Sequence, residues 1–252
     1  MNPALSMYSV SGSRKGGVKT VGPYTPIQYI MGKTVFCGLE FTVDERVFIP
    51  RPETELLVQK AIDVAYSAVG GSAYGGSLQL TAYSLRILDL CTGSGNIAIA
   101  LTKNIAGCKM VASDISDDAL RVARQNAESH GASDRIEFVK SDLFQGIAGE
   151  FDIIATNPPY IAQSEFADLQ KEVLAEPRIA IDGGEDGLDF YRRMIPGARR
   201  FLKPNGALLM EIGYGQVKAI NDIIKHTGAL KTIDVIKDFN NIDRVIIAQW
   251  IN

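Results

Sequence analysis

The sequence reads Asp89-Leu90-Cys91-Thr92-Gly93-Ser94-Gly95-Asn96-Ile97-Ala98 where a predicted strand, 86–91, passes into a predicted helix, 96–105. Glycines at such a turn allow the backbone to bend tightly and to approach a ligand closely. With Ala98 in its third position, the turn matches the G-x-G-x-x-[G/A] fingerprint of nucleotide-binding α/β folds. The stretch therefore predicts a parallel sheet with a cofactor site at this turn.

Strands and helices alternate from this turn to the C terminus. The predicted strands are 86–91, 110–113, 136–139, 151–156, 207–212, 232–236 and 244–250, and the predicted helices are 96–105, 117–129, 188–202 and 216–226. No helix is predicted between the last two strands, so we expect one of them to run antiparallel at the sheet edge. The predicted fold class is α/β: a doubly wound, seven-stranded, mainly parallel sheet.

The part of the chain before the turn predicts smaller elements. Short β-rich segments at 34–36 and 40–43 indicate an N-terminal β-hairpin, a helix is predicted from Thr54, and the glycine-rich stretch 70–84 predicts a loop. The expected domains are a disordered arm at 1–25, the hairpin and a helix leading into the core at 26–84, and the main domain at 85–252.

The composition is that of an ordinary globular protein. Of the 252 residues, 46% are hydrophobic and 22% are charged, with a net charge of −3. No apolar run reaches the ~20 residues of a membrane span. Cys37, Cys91 and Cys108 lack metal-ligand spacing, so we expect no metal site and a reduced, cytoplasmic compartment. We also expect a monomer without membrane partners. Stable nucleic-acid binding is not expected either, because the chain has no overall basic field to attract a phosphate backbone.

Two further strand ends carry candidate cofactor residues. Asp114 follows the turn's second glycine by nineteen residues, where a carboxylate can accept from both ribose hydroxyls. An adenosine-bearing cofactor is therefore indicated, either NAD or S-adenosylmethionine. Asp89 favours the second if it faces an ammonium group, but it equally suits a cap on the turn. Asp142 could accept from the adenine amino group beneath Leu143 and Phe144; a turn acid beside core residues is the competing interpretation.

Asn157-Pro158-Pro159-Tyr160 follows the buried strand 151–156. The Asn amide offers an acceptor and a donor, while the two prolines stiffen the turn and leave its carbonyls free. Tyr160 adds a flat ring. This set can bind a planar NH₂ group, and the side-chain amides of Gln and Asn, adenine and guanine all qualify.

These residues resemble the class I methyltransferases that use S-adenosylmethionine, and more closely the peptide chain release factor N5-glutamine methyltransferases. The resemblance covers about residues 26–250. The motifs that carry it are Pro26-Ile27-Gln28-Tyr29-Ile30-Met31-Gly32, Phe48-Ile49-Pro50-Arg51-Pro52-Glu53-Thr54-Glu55, the glycine turn, Asn157–Tyr160, Glu176-Pro177-Arg178, Gly183-Gly184-Glu185-Asp186-Gly187-Leu188 and Glu211-Ile212-Gly213-Tyr214-Gly215-Gln216.

The resemblance implies methyl transfer from S-adenosylmethionine to the glutamine N5 of the release factor's Gly-Gly-Gln motif. The implied cofactor residues are Cys91, Thr92, Gly93, Ser94, Gly95, Asp114, Leu143 and Asn157, beside the Asp142 suggested above. The implied catalytic residues are Asn157, Pro158 and Tyr160. Pro159 would pack on the target amide with Tyr160, and Arg51 and Glu53 would lie near the site entrance, although a helix start explains them equally well.

The sequence leaves two alternative functions. A nucleic-acid amino methyltransferase, acting on adenine N6 or guanine N2, should carry a basic groove, whereas 161–190 has eight acids against Lys171 and Arg178. A non-catalytic scaffold would not need an intact Asn157. The family also usually has an N-terminal helical domain. Only 25 residues precede Pro26, so we expect docking through other surfaces, a truncated chain, or a different substrate.

Overall fold

The computed structural model describes residues 22–68 and 85–250. The predicted arm, up to residue 21, and the predicted loop at 70–84 lie outside this part of the chain. Within it, seven strands form one sheet and two more form a separate hairpin. The strands are β1 Lys33–Phe36, β2 Leu39–Thr42, β3 Arg86–Leu90, β4 Lys109–Asp114, β5 Ile136–Lys140, β6 Phe151–Thr156, β7 Leu202–Glu211, β8 Leu230–Lys237 and β9 Asp243–Trp250.

The strand order in the large sheet is β5-β4-β3-β6-β7-β9-β8. Strands β3 to β7 run parallel, which confirms the predicted fold class. Strand β9 runs antiparallel to both of its neighbours. One of the last two strands does run antiparallel, as expected, but its expected place at the edge is wrong, because β9 is inserted between β7 and β8 and leaves β8 at the edge. The chain order reverses between β3 and β6, and ligands of such sheets bind outside the strands' carboxyl ends at that point.

Helices cover both faces of the sheet. The helices are α1 Ile27–Met31, α2 Thr54–Ala68, α3 Asn96–Asn104, α4 Asp117–Ser129, α5 Lys171–Leu174, α6 Asp189–Ala198 and α7 Val217–Thr227, and all except α1 and α5 pack on the sheet. Successive strand side chains point to opposite faces. Ile87 and Ile153 thus pack in one core with α2, α3 and α4, while Leu88 and Ile154 pack in the other with α6 and α7.

The hairpin is confirmed, and its turn explains its sequence. Cys37 and Gly38 connect β1 to β2 with φ angles of 49° and 72°, as a two-residue hairpin turn of the primed type requires. The hairpin is tied to the main domain by Asn126 of α4, whose Oδ1 accepts from Thr42 N at 2.8 Å and whose Nδ2 donates to Thr42 O at 3.0 Å.

Several boundaries differ from the prediction. Helix α1 was not predicted, because a single turn shows no helical periodicity. Strand β7 begins at Leu202 instead of residue 207, with a register shift opposite Phe151 and Ile153. Segment 161–187 contains α5 and two short 3₁₀ helices, Gln163–Asp168 and Arg178–Ala180.

Across residues 22–68 and 85–250, no helix has the length and apolarity that a membrane span requires. The same residues contain no group of three or more His, Cys, Asp or Glu side chains that could hold a metal ion.

Candidate active site

A cavity of ≈ 270 Å³ opens at the carboxyl ends of β3, β4 and β6, at the point where the chain order reverses. Most of the predicted site residues line it together: Cys91, Thr92, Gly93, Ser94, Asp114, Asp142, Leu143, Asn157, Pro158, Pro159 and Tyr160. Gly95, Arg51 and Glu53 are not among the lining residues. The predicted cofactor residues and the predicted substrate residues therefore share one cavity.

The glycine turn is shaped by backbone angles that side chains disfavour. Gly93 and Gly95 have φ angles of 54° and 81°. A Cβ on Gly95 would lie 3.1 Å from Ala123 Cβ and 3.2 Å from Ile99 Cδ1. Gly95 thus permits close packing of α3 on α4, whereas a Cβ on Gly93 would meet open space. Only Gly93 therefore faces the cavity, and the role of Gly95 is indirect.

Asp114 holds the turn and still has free acceptor capacity. Its Oδ2 accepts from Gly93 N and its Oδ1 from Ser116 N, both at 2.9 Å. Burial raises the pKa of this carboxyl, and the backbone amides of Ser116, Gly93 and Ile115 oppose the rise. Each carboxylate oxygen can accept a second hydrogen bond. A ligand diol in the cavity could therefore bind here without displacing either backbone contact.

Asp89 acts on the turn and does not reach the cavity. It is completely buried, and its Oδ2 accepts from Thr92 Oγ1 at 2.6 Å and from Ala98 N at 3.2 Å. Burial raises its pKa to about 7, despite these donors. Its Oδ1 has no hydrogen-bond partner among the described residues. These contacts favour the cap on the turn over a direct contact with a cofactor ammonium group.

The third strand end supports only part of the adenine prediction. Leu143 lines the cavity with a φ of 50°, held by a hydrogen bond from Ser141 Oγ to its carbonyl at 2.7 Å. Asp142 also lines the cavity, but its Oδ2 accepts from Arg193 Nη2 at 2.6 Å. Phe144 stacks on Phe201, with ring centroids 4.6 Å apart, and belongs to the core as the competing interpretation holds.

Residues Asn157 to Tyr160 extend from the end of β6 into the cavity. Asn157 Nδ2 donates to Thr54 Oγ1 at 3.2 Å. Tyr160 OH donates to Glu211 Oε1 at 3.4 Å, and the Tyr160 carbonyl accepts from Gln216 Nε2 at 2.9 Å. Burial raises the pKa of Tyr160, so the phenol stays protonated. Among the described residues, none donates a hydrogen bond to Asn157 Oδ1, so this oxygen is available to a ligand NH₂ group.

One wall of the cavity is held by an ion pair between distant segments. Arg51 Nη2 pairs with Glu176 Oε1, and Glu176 Oε2 accepts from Ile49 N at 2.9 Å. The Arg51 guanidinium lies 4.6 Å from the centre of the Phe48 ring, and Phe48 lines the cavity. Arg51 therefore has a structural partner, and its contact with a substrate, like that of Glu53, stays a prediction.

Comparison with known proteins identifies the family. Residues 77–185 match the methyltransferase small domain family model. The release factor glutamine methyltransferase of Geobacter sulfurreducens is 39% identical over 223 residues, which are 88% of this chain and 72% of that protein. The enzyme of the same name from Clostridium acetobutylicum is 38% identical over 227 residues, 88% of this chain and 74% of that protein.

The chain belongs to the release factor glutamine methyltransferase family. The predicted resemblance is thereby confirmed, and methyl transfer is the reaction class of the family. Two solved structures share the fold. The ribosomal protein L11 methylase of Lactobacillus delbrueckii subsp. bulgaricus has a TM-score of 0.56 at 20% identity and covers 83% of this chain and 84% of its own. The hMettl16 catalytic domain, in complex with an RNA hairpin, has a TM-score of 0.64 at 17% identity and covers 85% of this chain and 77% of its own.

Three residues of this family member's site were not predicted. Thr54 and Glu211 contact the Asn157–Tyr160 segment, and Asn126 Nδ2 donates to the Ser94 carbonyl of the glycine turn at 2.9 Å. Asn126 could have been noticed, because it interrupts the apolar face of α4 with a polar side chain. Thr54 and Glu211 lie within two of the motifs that carry the family resemblance, but a helix start and a strand end are ordinary places for them, so the sequence assigned neither a role in the site.

Proposed function

We propose that this chain transfers a methyl group from S-adenosylmethionine to the side-chain N5 of the glutamine in the Gly-Gly-Gln motif of peptide chain release factors. The observation that carries the proposal is one cavity in which Asn157 and the Pro158–Tyr160 turn face a carboxylate, Asp114, beside a glycine turn. The relatives named above are release factor glutamine methyltransferases, and they support the choice of target.

The cavity residues fit S-adenosylmethionine. Asp114 can accept from the ribose hydroxyls, and Leu143 offers an apolar border for the adenine. Asn96 and Ile97 begin α3 and line the cavity, so the helix N terminus suits the methionine carboxylate. The bound cofactor would supply an electrophilic sulfonium methyl group. The remaining chemistry falls to the protein residues around the target amide.

An amide nitrogen is a weak nucleophile, because its lone pair is delocalised into the carbonyl. Asn157 Oδ1 and the Pro158 carbonyl are two acceptors, and we assign one to each hydrogen of the target NH₂. The pair would aim the nitrogen at the methyl group and stabilise the positive charge that develops on it. Orientation of this kind can contribute roughly 7–11 kcal/mol. Tyr160 would pack on the amide plane.

The test consists of three parallel reactions, each containing the chain and methyl-labelled S-adenosylmethionine. The first also contains release factor, the second DNA and the third RNA. We expect label on the release factor, located by mass spectrometry at the glutamine of its Gly-Gly-Gln motif and absent when that glutamine is replaced. Label only in nucleic acid would overturn the proposal in favour of a base methyltransferase. Label in none of the three would favour the non-catalytic scaffold.

The cytoplasmic location, the monomeric state and the absence of stable nucleic-acid binding remain predictions from the sequence. Light scattering at a micromolar concentration measures the mass in solution, and a gel-shift assay with DNA and RNA measures nucleic-acid binding. We expect the mass of one chain, 27.3 kDa, and no shifted complex.

A further inference from the structure

A buried carboxyl lies next to the residues assigned to the target amide. Glu211 ends β7 and is 1% exposed. Its Oε1 accepts from Tyr160 OH, and its backbone carbonyl accepts from Tyr191 OH at 2.7 Å. Its Oε2 has no partner that meets hydrogen-bond geometry among the described residues, although the Thr54 hydroxyl lies close enough to lower the pKa of the carboxyl. A buried carboxylate is costly unless it is paired or hydrogen-bonded, so an incompletely bonded one beside the site calls for an explanation.

Thr54 stands between this carboxyl and Asn157. It is 1% exposed, and its Oγ1 lies 3.2 Å from Asn157 Nδ2. A hydroxyl donates one hydrogen and accepts at its lone pairs. When Glu211 is ionised, it can only accept, so it attracts the Thr54 hydrogen. The Thr54 oxygen must then accept from Asn157 Nδ2, and Asn157 Oδ1 is presented to the cavity.

Protonation of Glu211 removes that constraint. A carboxylic acid can donate to Thr54 Oγ1, which frees the Thr54 hydrogen to point at Asn157. The Asn157 amide then gains an equally good hydrogen bond in the reversed orientation, with its NH₂ group toward the cavity. An NH₂ group there would face the hydrogens of the target amide. Both groups would then be donors, so no hydrogen bond could form between them.

We propose that Glu211, acting through Thr54, is a positioning residue that sets which end of the Asn157 amide faces the target, and that its ionised form is the competent one. The inference rests on the proposed function and adds a residue to it. Neither Glu211 nor Thr54 needs to touch the target. Their effect is on the orientation of the residue that does.

The charges around Glu211 are consistent with a change of state near neutral pH. Burial raises its pKa to about 7, while Arg244 on β9 opposes the rise and Glu53, before α2, adds to it. Tyr160 and Tyr191 are the other titratable groups that face it, and both remain protonated. We therefore expect kcat/KM for the release factor to increase as pH rises through about 7, because kcat/KM reports ionisations of the free enzyme.

Three variants test the relay: Thr54→Val, Thr54→Ser and Glu211→Gln. Valine keeps the volume of Thr54 but neither donates nor accepts, so we expect a roughly tenfold or greater loss of kcat/KM from the unmade hydrogen bond and loss of the increase through pH 7. Serine keeps the hydroxyl and should restore most of that activity. Glutamine cannot ionise, so the pH dependence near 7 should disappear. The S-adenosylmethionine Kd, measured by calorimetry, should change little in all three.

The proposal is overturned if Glu211→Gln keeps the wild-type pH profile, if Thr54→Val keeps wild-type kcat/KM, or if Thr54→Ser is as impaired as Thr54→Val. If Glu211→Gln does not fold, the two Thr54 variants decide. A second readout needs no methyl transfer: infrared difference spectra between pH 5 and 9 should contain a carboxyl band that Glu211→Gln removes and that Thr54→Val shifts in pH. Absence of the band, or an unshifted band, contradicts the relay even if the chain methylates no release factor.

Discussion

Asn157 is the residue on which the proposed chemistry depends most directly. Replacing it by Ala removes an acceptor at the target nitrogen and the partner of Thr54. We expect Asn157→Ala to lower kcat on the release factor by roughly 10²–10³-fold, with a much smaller change in the Kd for S-adenosylmethionine. Asn104→Ala, at an exposed helix end, is the control. A turnover near that of the control would remove Asn157 from the catalytic assignment.

Asp89 makes the stability of the chain depend on pH. Its pKa is raised from 3.8 to about 7 in the folded state, chiefly by burial. Folding therefore favours its protonated form, so its contribution to the free energy of unfolding is present at low pH and is lost as pH rises from about 4 to about 7. The maximum slope for one group is about 1.4 kcal/mol per pH unit.

We expect Asp89→Asn to reduce the fall in stability between pH 5 and 8, as measured by urea denaturation at each pH. Part of the fall should persist, because Glu211 also has a raised pKa of about 7. Wild-type and variant curves that run parallel over this range would mean that Asp89 is ionised in the folded state at pH 5.

The sequence predicted the site residues that come directly after strands of the parallel sheet, and it did not predict the others. Asp114 and Asn157 come directly after parallel strands, and the carboxyl ends of parallel strands meet at one edge. Thr54 is 103 residues from Asn157, and Glu211 is 51 residues from Tyr160. Contacts of this kind depend on how α2 and β7 pack beside β6, which periodicity does not reveal.

At the scale of elements, the Arg51–Glu176 pair joins the segment before α2 to segment 161–187. The Glu176 side chain is 1% exposed and that of Arg51 is 29% exposed. Removing Arg51 leaves a buried carboxylate whose remaining hydrogen bond, among the described residues, comes from the Ile49 amide. We expect Arg51→Ala to lower the free energy of unfolding by about 1–3 kcal/mol, below the cost of breaking a completely buried pair.

Lys33→Ala is the matched control for Arg51→Ala, since the Lys33–Glu40 pair is exposed on both sides. Its loss should cost about 1 kcal/mol or less. Urea denaturation measures both variants, and limited proteolysis should cut Arg51→Ala faster within segment 161–187. Equal losses in the two variants would contradict a structural role for the buried pair.

The elements that the sequence predicted well are those with a repeated physical signal. Helix α4 has an apolar face, a Ser116 cap that accepts from Ala119 N and two acids in its first turn. By contrast, the start of β7 contains Pro204, Asn205 and Gly206, which are turn formers, so the predicted strand begins only at residue 207. The place of β9 in the sheet could not be predicted, because alternation of strands and helices does not specify strand order.

At the scale of the whole molecule, the cavity is enclosed by parts of the chain that lie far apart in the sequence. The carboxyl ends of the strands supply Asp114 and Asn157. The segment before α2 supplies Phe48, and segment 161–187 supplies Pro177 and further apolar residues. The sequence predicted the first part and its chemistry. It did not predict the enclosure, which rests on long-range contacts such as those of Glu176 and Asn126.

Asn126 connects the hairpin, α4 and the glycine turn, so it tests whether these parts act together. It is 1% exposed, and its side chain makes three hydrogen bonds, two with Thr42 and one with the Ser94 carbonyl. Ala leaves these backbone groups unpaired. We expect Asn126→Ala to lower the free energy of unfolding by about 2–4 kcal/mol and to raise the Kd for S-adenosylmethionine, because Ser94 lines the cavity.

The control for Asn126→Ala is Asn104→Ala, whose side chain, among the described residues, donates to the Ala100 carbonyl of its own helix at 2.8 Å. Urea denaturation and calorimetric titration with S-adenosylmethionine measure both variants. Cofactor binding is compared at a low temperature at which Asn126→Ala is fully folded. If the variant binds S-adenosylmethionine more weakly there, the hairpin supports the glycine turn in the native state. If the Kd equals that of Asn104→Ala under those conditions, the hairpin and the cofactor site are independent, and Asn126 serves stability alone.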